Sequence, residues 1–457
     1  MGMSSPDTKE KRSPAKRAVL GLVSRRLALE ALNDVLVKHK SLDSALERVA
    51  ALPDAKGLHP SDLALTRLIA ATTLRRLGQL EDLLTHFIAK PLPEEATRAR
   101  LILLTAAAQL LFLDTAPHAA IDVAVTLCRD KPESERMAGL ANAVLRKVAT
   151  EGHALIAGQD AACLNTHDWL WERWCAALGE PRARRIALAH LTEAALDLSV
   201  KQDAEGWAEK LGGVLLPTGS VRLKAKGRIE LLDGFSDGAW WVQDAAAALP
   251  VRLLGDVAGK RVADLCAAPG GKTAQLAALG ALVTAVDDSA ARLGTLKGNL
   301  GRLGLTADVV QADAAKWLPS EPFGAVLLDA PCLSTGTIRR HPDLPHLKRP
   351  EDLKALAGIQ AKLLDNAVRM LKPGGLLVYC TCSLEREEGS QQIERLLARN
   401  DGVELVPVAA GEAGVAPDWL TPEGYLRTLP CFMPMEPVEL SGMDGFFAAR
   451  VRRKASK

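Results

Sequence analysis

The sequence predicts an α/β protein: a doubly wound, mainly parallel sheet closed by a C-terminal antiparallel strand pair, preceded by an all-α region. Three observations carry this. From about residue 258, short apolar runs alternate with stretches of helical period, the pattern of βαβ units. Residues 19–150 instead repeat apolar residues at helical spacing without strand-like alternation. At 457 residues the chain also exceeds the ~250–300 at which single cores stop growing, so two or three domains are expected.

Residues 1–18 are polar and carry Lys9, Lys11, Arg12, Lys16 and Arg17, which reads as a disordered basic tail rather than a secretory leader. Residues 19–152 make the helical domain. Leu29, Leu32 and Leu36 share one helix face, as do Leu65, Leu68, Ile69 and Thr72, and Pro91, Pro93 and Pro117 punctuate the connections. The uncharged run 101–113 falls short of the ~20 residues of a membrane span and reads as a buried helix. Residues 160–245 read as a mixed connector. It opens on Trp169, Trp171 and Trp174, which fit a packed helix better than a base-stacking surface. Residues 246–457 hold the sheet, with candidate strands at 261–267, 282–286, 307–310, 324–328 and 375–380 and helices at 272–279 and 351–371. The closing pair is 425–429 with 445–451.

With 48% apolar and 25% charged residues the chain has the composition of a soluble globular protein, expected in the cytoplasm, off the membrane and monomeric. The net charge of +2 argues neither for nor against nucleic acid. Residues 1–150 carry 22 Lys and Arg against 17 Asp and Glu, a mildly basic third compatible with RNA contact. The eight cysteines lack the spacing of a disulfide framework and are expected to be reduced. Cys380-Thr381-Cys382 is too tight for a zinc pair and has no second pair, so no metal is expected.

The first strand feeds a glycine loop, Asp264-Leu265-Cys266-Ala267-Ala268-Pro269-Gly270-Gly271-Lys272-Thr273. Its small residues let the backbone approach a ligand, and the following helix offers free N–H groups. A dinucleotide needs Gly-x-Gly-x-x-Gly, which is absent. A P-loop needs glycine where Cys266 stands, which disfavours ATP. S-adenosylmethionine remains. Asp287, with Asp288 as substitute, is spaced to hold ribose hydroxyls; Asp313 can accept from an adenine amino group; Asp329 ends a third strand.

Cys332 and Cys382 each follow a strand end, where reacting groups gather in open α/β sheets. A thiolate added to carbon 6 of cytosine makes carbon 5 nucleophilic enough to attack a methyl donor. A base must then remove the carbon 5 proton, and a carboxyl group at the N3/N4 edge favours the first addition. Two cysteines and Asp329 fill these roles, and the residues alone do not say which cysteine attacks.

The C-terminal half closely resembles the RNA 5-methylcytosine methyltransferases, through Cys266–Lys272, Asp329-Ala330-Pro331-Cys332, Arg339-Arg340-His341-Pro342-Asp343, Thr381-Cys382-Ser383 with Glu387-Glu388, and Asp444-Gly445-Phe446-Phe447, extending upstream to Val242-Gln243-Asp244. Residues 20–150 resemble the NusB family of RNA-binding domains, through 74–80, 117–121 and 139–146. Together they look like the 16S ribosomal RNA cytosine-5 methyltransferases of the RsmB type. The resemblance implies a Rossmann-like class I methyltransferase sheet, 16S ribosomal RNA as partner, Cys382 as nucleophile and Cys332 as the releasing residue. Cofactor contacts would come from Cys266, Ala267, Ala268, Pro269, Gly270, Gly271, Lys272, Asp287, Asp313 and Asp329. Arg75, Arg76, Arg146 and Lys147 become candidate phosphate contacts, and Lys272 and Arg340 candidates to steady the cofactor or phosphate side. His341 reads equally well as loop packing. There are two departures from the family pattern: Ser199-Val200-Lys201 stands for Arg-Val-Asn, and Leu333 for serine. The rival readings are a transfer RNA or other RNA substrate, a non-catalytic RNA-binding assembly factor, and an ATP-dependent RNA-processing protein.

Overall fold

A computed structural model describes residues 14–224 and 227–455. They divide into two compact units, one holding the described residues up to His167 with His341–Leu347, the other Asp168–Arg340 with the described residues from Lys348.

The first unit is helical: α1 (Pro14–Leu36), α2 (Leu42–Ala50), α3 (Pro60–Arg75), α4 (Leu77–Phe87), α5 (Thr97–Phe112), α6 (Pro117–Arg129), α7 (Pro132–Glu135), α8 (Ala138–Ala157) and α9 (Ala161–Leu164). The stretch read as a buried helix is α5, with residues 101–111 all buried at the centre of the unit. Leu27 and Leu32 of α1 and Leu145 and Val148 of α8 join it in one buried cluster. Two expectations are corrected. Residues 1–13 of the expected tail lie outside the described residues, but 14–18 already belong to α1. Proline is tolerated at a first helical position, and Ala15, Lys16, Arg17 and Ala18 are helix formers. In α3 the buried residues are Thr66, Ile69, Ala70, Thr72, Thr73 and Leu74, so Ile69 and Thr72 of the expected face are inside while Leu68 is exposed.

The second unit begins with the helical pair α10 (Asp168–Leu178) and α11 (Glu180–His190). The connector then builds its own sheet from β1 (Leu196–Val200), β2 (Val214–Leu215), β3 (Val221–Leu223) and β4 (Trp240–Val242), in the order β2-β3-β1-β4, with α12 (Ala204–Lys210) after β1. Its alternation is misleading, because the polar positions Asp197 and Ser199 of β1 are buried. Arg222 forks onto both carboxylate oxygens of Asp197 at 2.7 Å, and both side chains are fully buried.

After α13 (Ala245–Arg252) come β5 (Arg261–Leu265), α14 (Gly271–Ala278), β6 (Leu282–Asp287), α15 (Ala290–Leu303), β7 (Asp308–Gln311) and β8 (Phe323–Asp329). The one-turn α16 (Leu344–Leu347) belongs to the first unit. The second unit resumes with α17 (Pro350–Met370), β9 (Leu371–Thr381), α18 (Ser390–Arg399), β10 (Val403–Leu405), β11 (Leu426–Thr428) and β12 (Phe446–Arg453). Strands β9, β8, β5, β6 and β7 lie side by side in parallel. β12 runs antiparallel to β9 and pairs with both β11 and β10. The expected closing pair is present, and β10 was not expected. The sheet is buried on both faces: Val262, Leu327 and Val378 lie in one apolar layer, Ala263, Val326 and Leu377 in the other. Such double burial explains the near-continuous apolar runs of its strands.

Candidate active site

The site is built at the carboxyl ends of β5, β6, β8 and β9. Beyond β5 the chain turns sharply, with Cys266 at φ 59° and Gly270 at φ 103°. A Cβ at Gly270 would lie 2.9 Å from Leu296 Cγ, so glycine is required there by conformation and by space. The loop is tied to the next strand: Ala267 N donates to Val286 O at 3.1 Å and Ala268 N to Asp287 Oδ2 at 3.2 Å. At Gly271, which starts α14, an added Cβ would find no atom nearer than 4.0 Å, so the backbone there is open to close approach. This cradle, with acidic strand ends beside it, fits a ligand carrying an amino acid, a ribose and an adenine.

Asp287 ends β6 with its side chain fully buried. It accepts from Ala268 N, from Ser289 N at 3.0 Å and from the Arg292 guanidinium at 2.9 Å. A carboxylate offers about four lone-pair sites, so these contacts leave it capacity. Asp288 is exposed and pairs with Arg292. Asp313 follows β7 and is exposed; Ala315 N and Lys316 Nζ hold it at 2.9 and 3.1 Å, and the first of these keeps its carboxyl below the usual range.

Lys272, in the first turn of α14, reaches Asp329 at the end of β8, Nζ to Oδ2 2.7 Å. Burial alone would lower the Lys272 ammonium, but Asp329, with the Cys380 and Cys382 thiols, outweighs it and holds the ammonium charged. Beneath the loop, Asp264 is fully buried. Thr273 Oγ1 donates to its Oδ2 at 2.5 Å, while Oδ1 has no partner. Burial pushes its carboxyl up to about 7. The sequence signal for Asp264 was present, a lone acid closing an apolar strand, but it was read only as the start of the loop.

Parallel register sets Asp329 opposite Cys380. The next residues on each strand therefore leave the sheet together, and Cys332 Sγ comes to lie 3.6 Å from Cys382 Sγ. Main-chain bonds hold the two segments, Ala330 N to Cys380 O at 3.0 Å and Gly336 N to Cys382 O at 2.9 Å. The surroundings treat the thiols differently. Cys332 is raised well above the ordinary range by its hydrogen bond with Cys382, by burial and by Glu388 nearby. Cys382 is lowered, chiefly by the same bond, against burial and Asp329, with Ser334 and Lys272 assisting. Of the two, Cys382 is the more readily ionised. Asp329, Lys272, Cys332 and Cys382 thus form one cluster, whereas the contacts of Asp313 are to its neighbours Ala315 and Lys316. Among the described residues no group of three or more His, Cys, Asp or Glu side chains is placed to hold a metal ion, and no helix is long and apolar enough to cross a membrane.

Residues 251–452 match the family model described as 16S rRNA methyltransferase RsmB/F, and residues 22–150 match the NusB family. Over 401 residues the chain is 36% identical to ribosomal RNA small subunit methyltransferase B of Klebsiella pneumoniae, spanning 83% of this chain and 91% of that one. The chain belongs to this methyltransferase family. A second member, from Xylella fastidiosa, is 36% identical over 451 residues, 95% of this chain and 99% of that one. The crystal structure of PH0851 shares the fold, with a TM-score of 0.72 at 23% identity, covering 94% of this chain and 99% of that one.

In this member of the methyltransferase B family, Arg340, expected to steady the cofactor or phosphate side, has two carboxylate partners within the protein. With Arg339 it is drawn into a buried cluster with Asp244 and Asp444, Arg340 Nε lying 3.1 Å from both Asp444 oxygens. Two buried carboxylates pair with this cation, contacts that its place in the motif does not announce. His341, in the first unit, has Nδ1 3.9 Å from Asp43. The two departures from the family pattern serve internal contacts. Ser199 Oγ donates to Gln243 at 2.7 Å and Lys201 Nζ to Leu303 O at 2.8 Å. Leu333 is buried, and its backbone N–H meets Glu388. Trp174 is core and donates to Glu385 at 3.1 Å, while Trp171 lies under Arg184 at 5.4 Å. In the first unit Arg76 lies over Phe112 and contacts Gln79, whereas Arg146 and Lys147 are exposed.

Proposed function

We propose that the chain methylates carbon 5 of a cytidine in 16S ribosomal RNA through a covalent adduct between Cys382 and carbon 6 of the base. The observation that carries this reading is the pair of sulfurs 3.6 Å apart beside the Lys272–Asp329 ion pair, with Cys382 the more readily ionised of the two. The glycine loop, Asp287 and Asp313 would hold S-adenosylmethionine, which would supply the methyl group by breaking its sulfonium–methyl bond and leave as S-adenosylhomocysteine.

The cytosine must leave its stack to reach these thiols. The Cys382 thiolate adds to carbon 6, forming the S–C bond and moving electron density to carbon 5 and N3. Asp329 accepts from the exocyclic amino group, and the Lys272 ammonium offsets the charge that gathers on the ring. Carbon 5 then takes the methyl group. Once the Cys382 sulfur is bonded to carbon it bears no charge and accepts no strong hydrogen bond. The Cys382 hydrogen bond and charge that raise Cys332 are then gone, while burial and Glu388 remain; Cys332 gives its own proton to solvent and, as thiolate, is the base that removes the carbon 5 proton. Loss of that proton re-forms the ring double bond, breaks the carbon–sulfur bond and returns Cys382 as thiolate. Binding of RNA by the NusB-like domain, with Arg146 and Lys147 as phosphate contacts, completes the reading.

The test is methylation of unmodified 16S ribosomal RNA with methyl-labelled S-adenosylmethionine, followed by digestion to nucleosides. Label is expected in 5-methylcytidine. Label in any other nucleoside, or none, overturns the proposal.

A further inference from the structure

Glu388 is fully buried next to the cysteine pair, and the mechanism above does not use it. Its position relates it to both cysteines. Both carboxylate oxygens lie 3.1 Å from Leu333 N, the N–H immediately after Cys332. Gln360, on α17, donates from one amide nitrogen to Pro331 O at 2.9 Å, the carbonyl immediately before Cys332, and to Glu388 Oε1 at 3.0 Å. The peptide groups on either side of Cys332 are therefore pinned by one Gln–Glu pair. The backbone of Glu388 serves the other cysteine. Its carbonyl accepts from Tyr379 Oη at 2.6 Å and from Thr381 Oγ1 at 3.3 Å, two residues of β9 that lead into Cys382.

Cys332 lies beyond the end of β8, where the sheet ladder no longer fixes the backbone. A thiol that must hydrogen-bond Cys382 before the adduct forms, and face carbon 5 afterwards, tolerates little drift. We infer that Glu388 and Gln360 are positioning residues that set the Cys332–Cys382 spacing, and that they act on the release half of the reaction. The inference rests on the covalent mechanism proposed above. The leaving step depends on Cys332, whereas addition and methyl transfer depend on Cys382, Asp329 and Lys272. Loss of the clamp should therefore separate the two halves.

The experiment compares a single turnover of methyl transfer with steady-state turnover, and measures RNA covalently retained by the enzyme under denaturing conditions. Gln360→Met, which keeps shape and removes both donated bonds, is the principal variant. Glu388→Gln, which keeps one acceptor oxygen for Leu333 N, and Glu388→Ala complete the set. Thermal melting confirms that each is folded. Gln360→Met should keep its single-turnover rate within a few-fold. Its steady-state rate should fall about 10- to 100-fold, the scale on which a small displacement of a reacting group is felt, and methylated adduct should accumulate. Glu388→Gln should fall between wild type and Glu388→Ala. If single-turnover and steady-state rates fall together, or no adduct accumulates although Cys332→Ala traps one, the clamp does not act on release and the inference fails alone. If Cys332→Ala also traps no adduct, the covalent reading has failed and takes this inference with it.

Discussion

Cys332 Sγ lies 3.6 Å from Cys382 Sγ, within hydrogen-bond reach, and this contact raises the Cys332 thiol while it lowers that of Cys382. A pair sharing one proton can place charge on only one sulfur. Lys272 and Ser334 favour Cys382, while Glu388 weighs against Cys332.

The first prediction concerns pH. The thiolate on Cys382 is favoured, so its reactivity is lost only as pH falls through a value below that of an ordinary thiol, about 8.5. Alkylation by iodoacetamide, followed residue by residue with peptide mass spectrometry, should show Cys382 reacting at lower pH than Cys332. Cys332→Ala removes this contact and should shift the Cys382 profile to higher pH. Faster low-pH alkylation of Cys332 would reverse the assignment.

Asp287 holds the glycine loop through Ala268 N and is proposed to hold ribose hydroxyls. A hydrogen bond to a charged group contributes roughly 1.5–3 kcal/mol. Asp287→Ala should accordingly weaken S-adenosylmethionine binding on the order of 10- to 100-fold by calorimetry. Unchanged affinity would remove Asp287 from the cofactor site.

Arg222 and Asp197 test the connector sheet independently of chemistry. Besides its fork onto Asp197, Arg222 donates to Leu440 O and Gly442 O at 2.8 and 2.7 Å, and Ala245 N donates to Asp197 at 2.9 Å. Arg222→Met leaves Asp197 buried and without its cation, which costs about 3–5 kcal/mol. Denaturant unfolding should show a loss of that size. A loss under about 1 kcal/mol would mean that the connector relaxes and solvates the carboxylate.

The parallel strands were legible because double burial makes them continuous apolar runs. The strands β6 and β8 differ from expectation only at their ends. β10 was not legible, since Val403-Glu404-Leu405 is too short to show a period. β1 alternates as a half-exposed strand would, yet its polar residues are paired in the interior, which sequence spacing does not reveal. At the site, the cysteines, the loop and Asp287 were visible as motifs. What joins them was not. Lys272 and Asp329 are 57 positions apart, and Glu388 and Leu333 are 55 apart. The buried partners of Arg340, Asp244 and Asp444, were not legible either, because each lies about a hundred positions away.

The central claim is that Cys382 attacks and Cys332 releases. It is tested most directly by incubating Cys332→Ala and Cys382→Ala with 16S ribosomal RNA and S-adenosylmethionine and resolving protein–RNA adducts on a denaturing gel. Cys332→Ala should accumulate a covalent complex with methylated RNA, and Cys382→Ala should form none and transfer no methyl group. Accumulation by Cys382→Ala, with none by Cys332→Ala, would contradict the account.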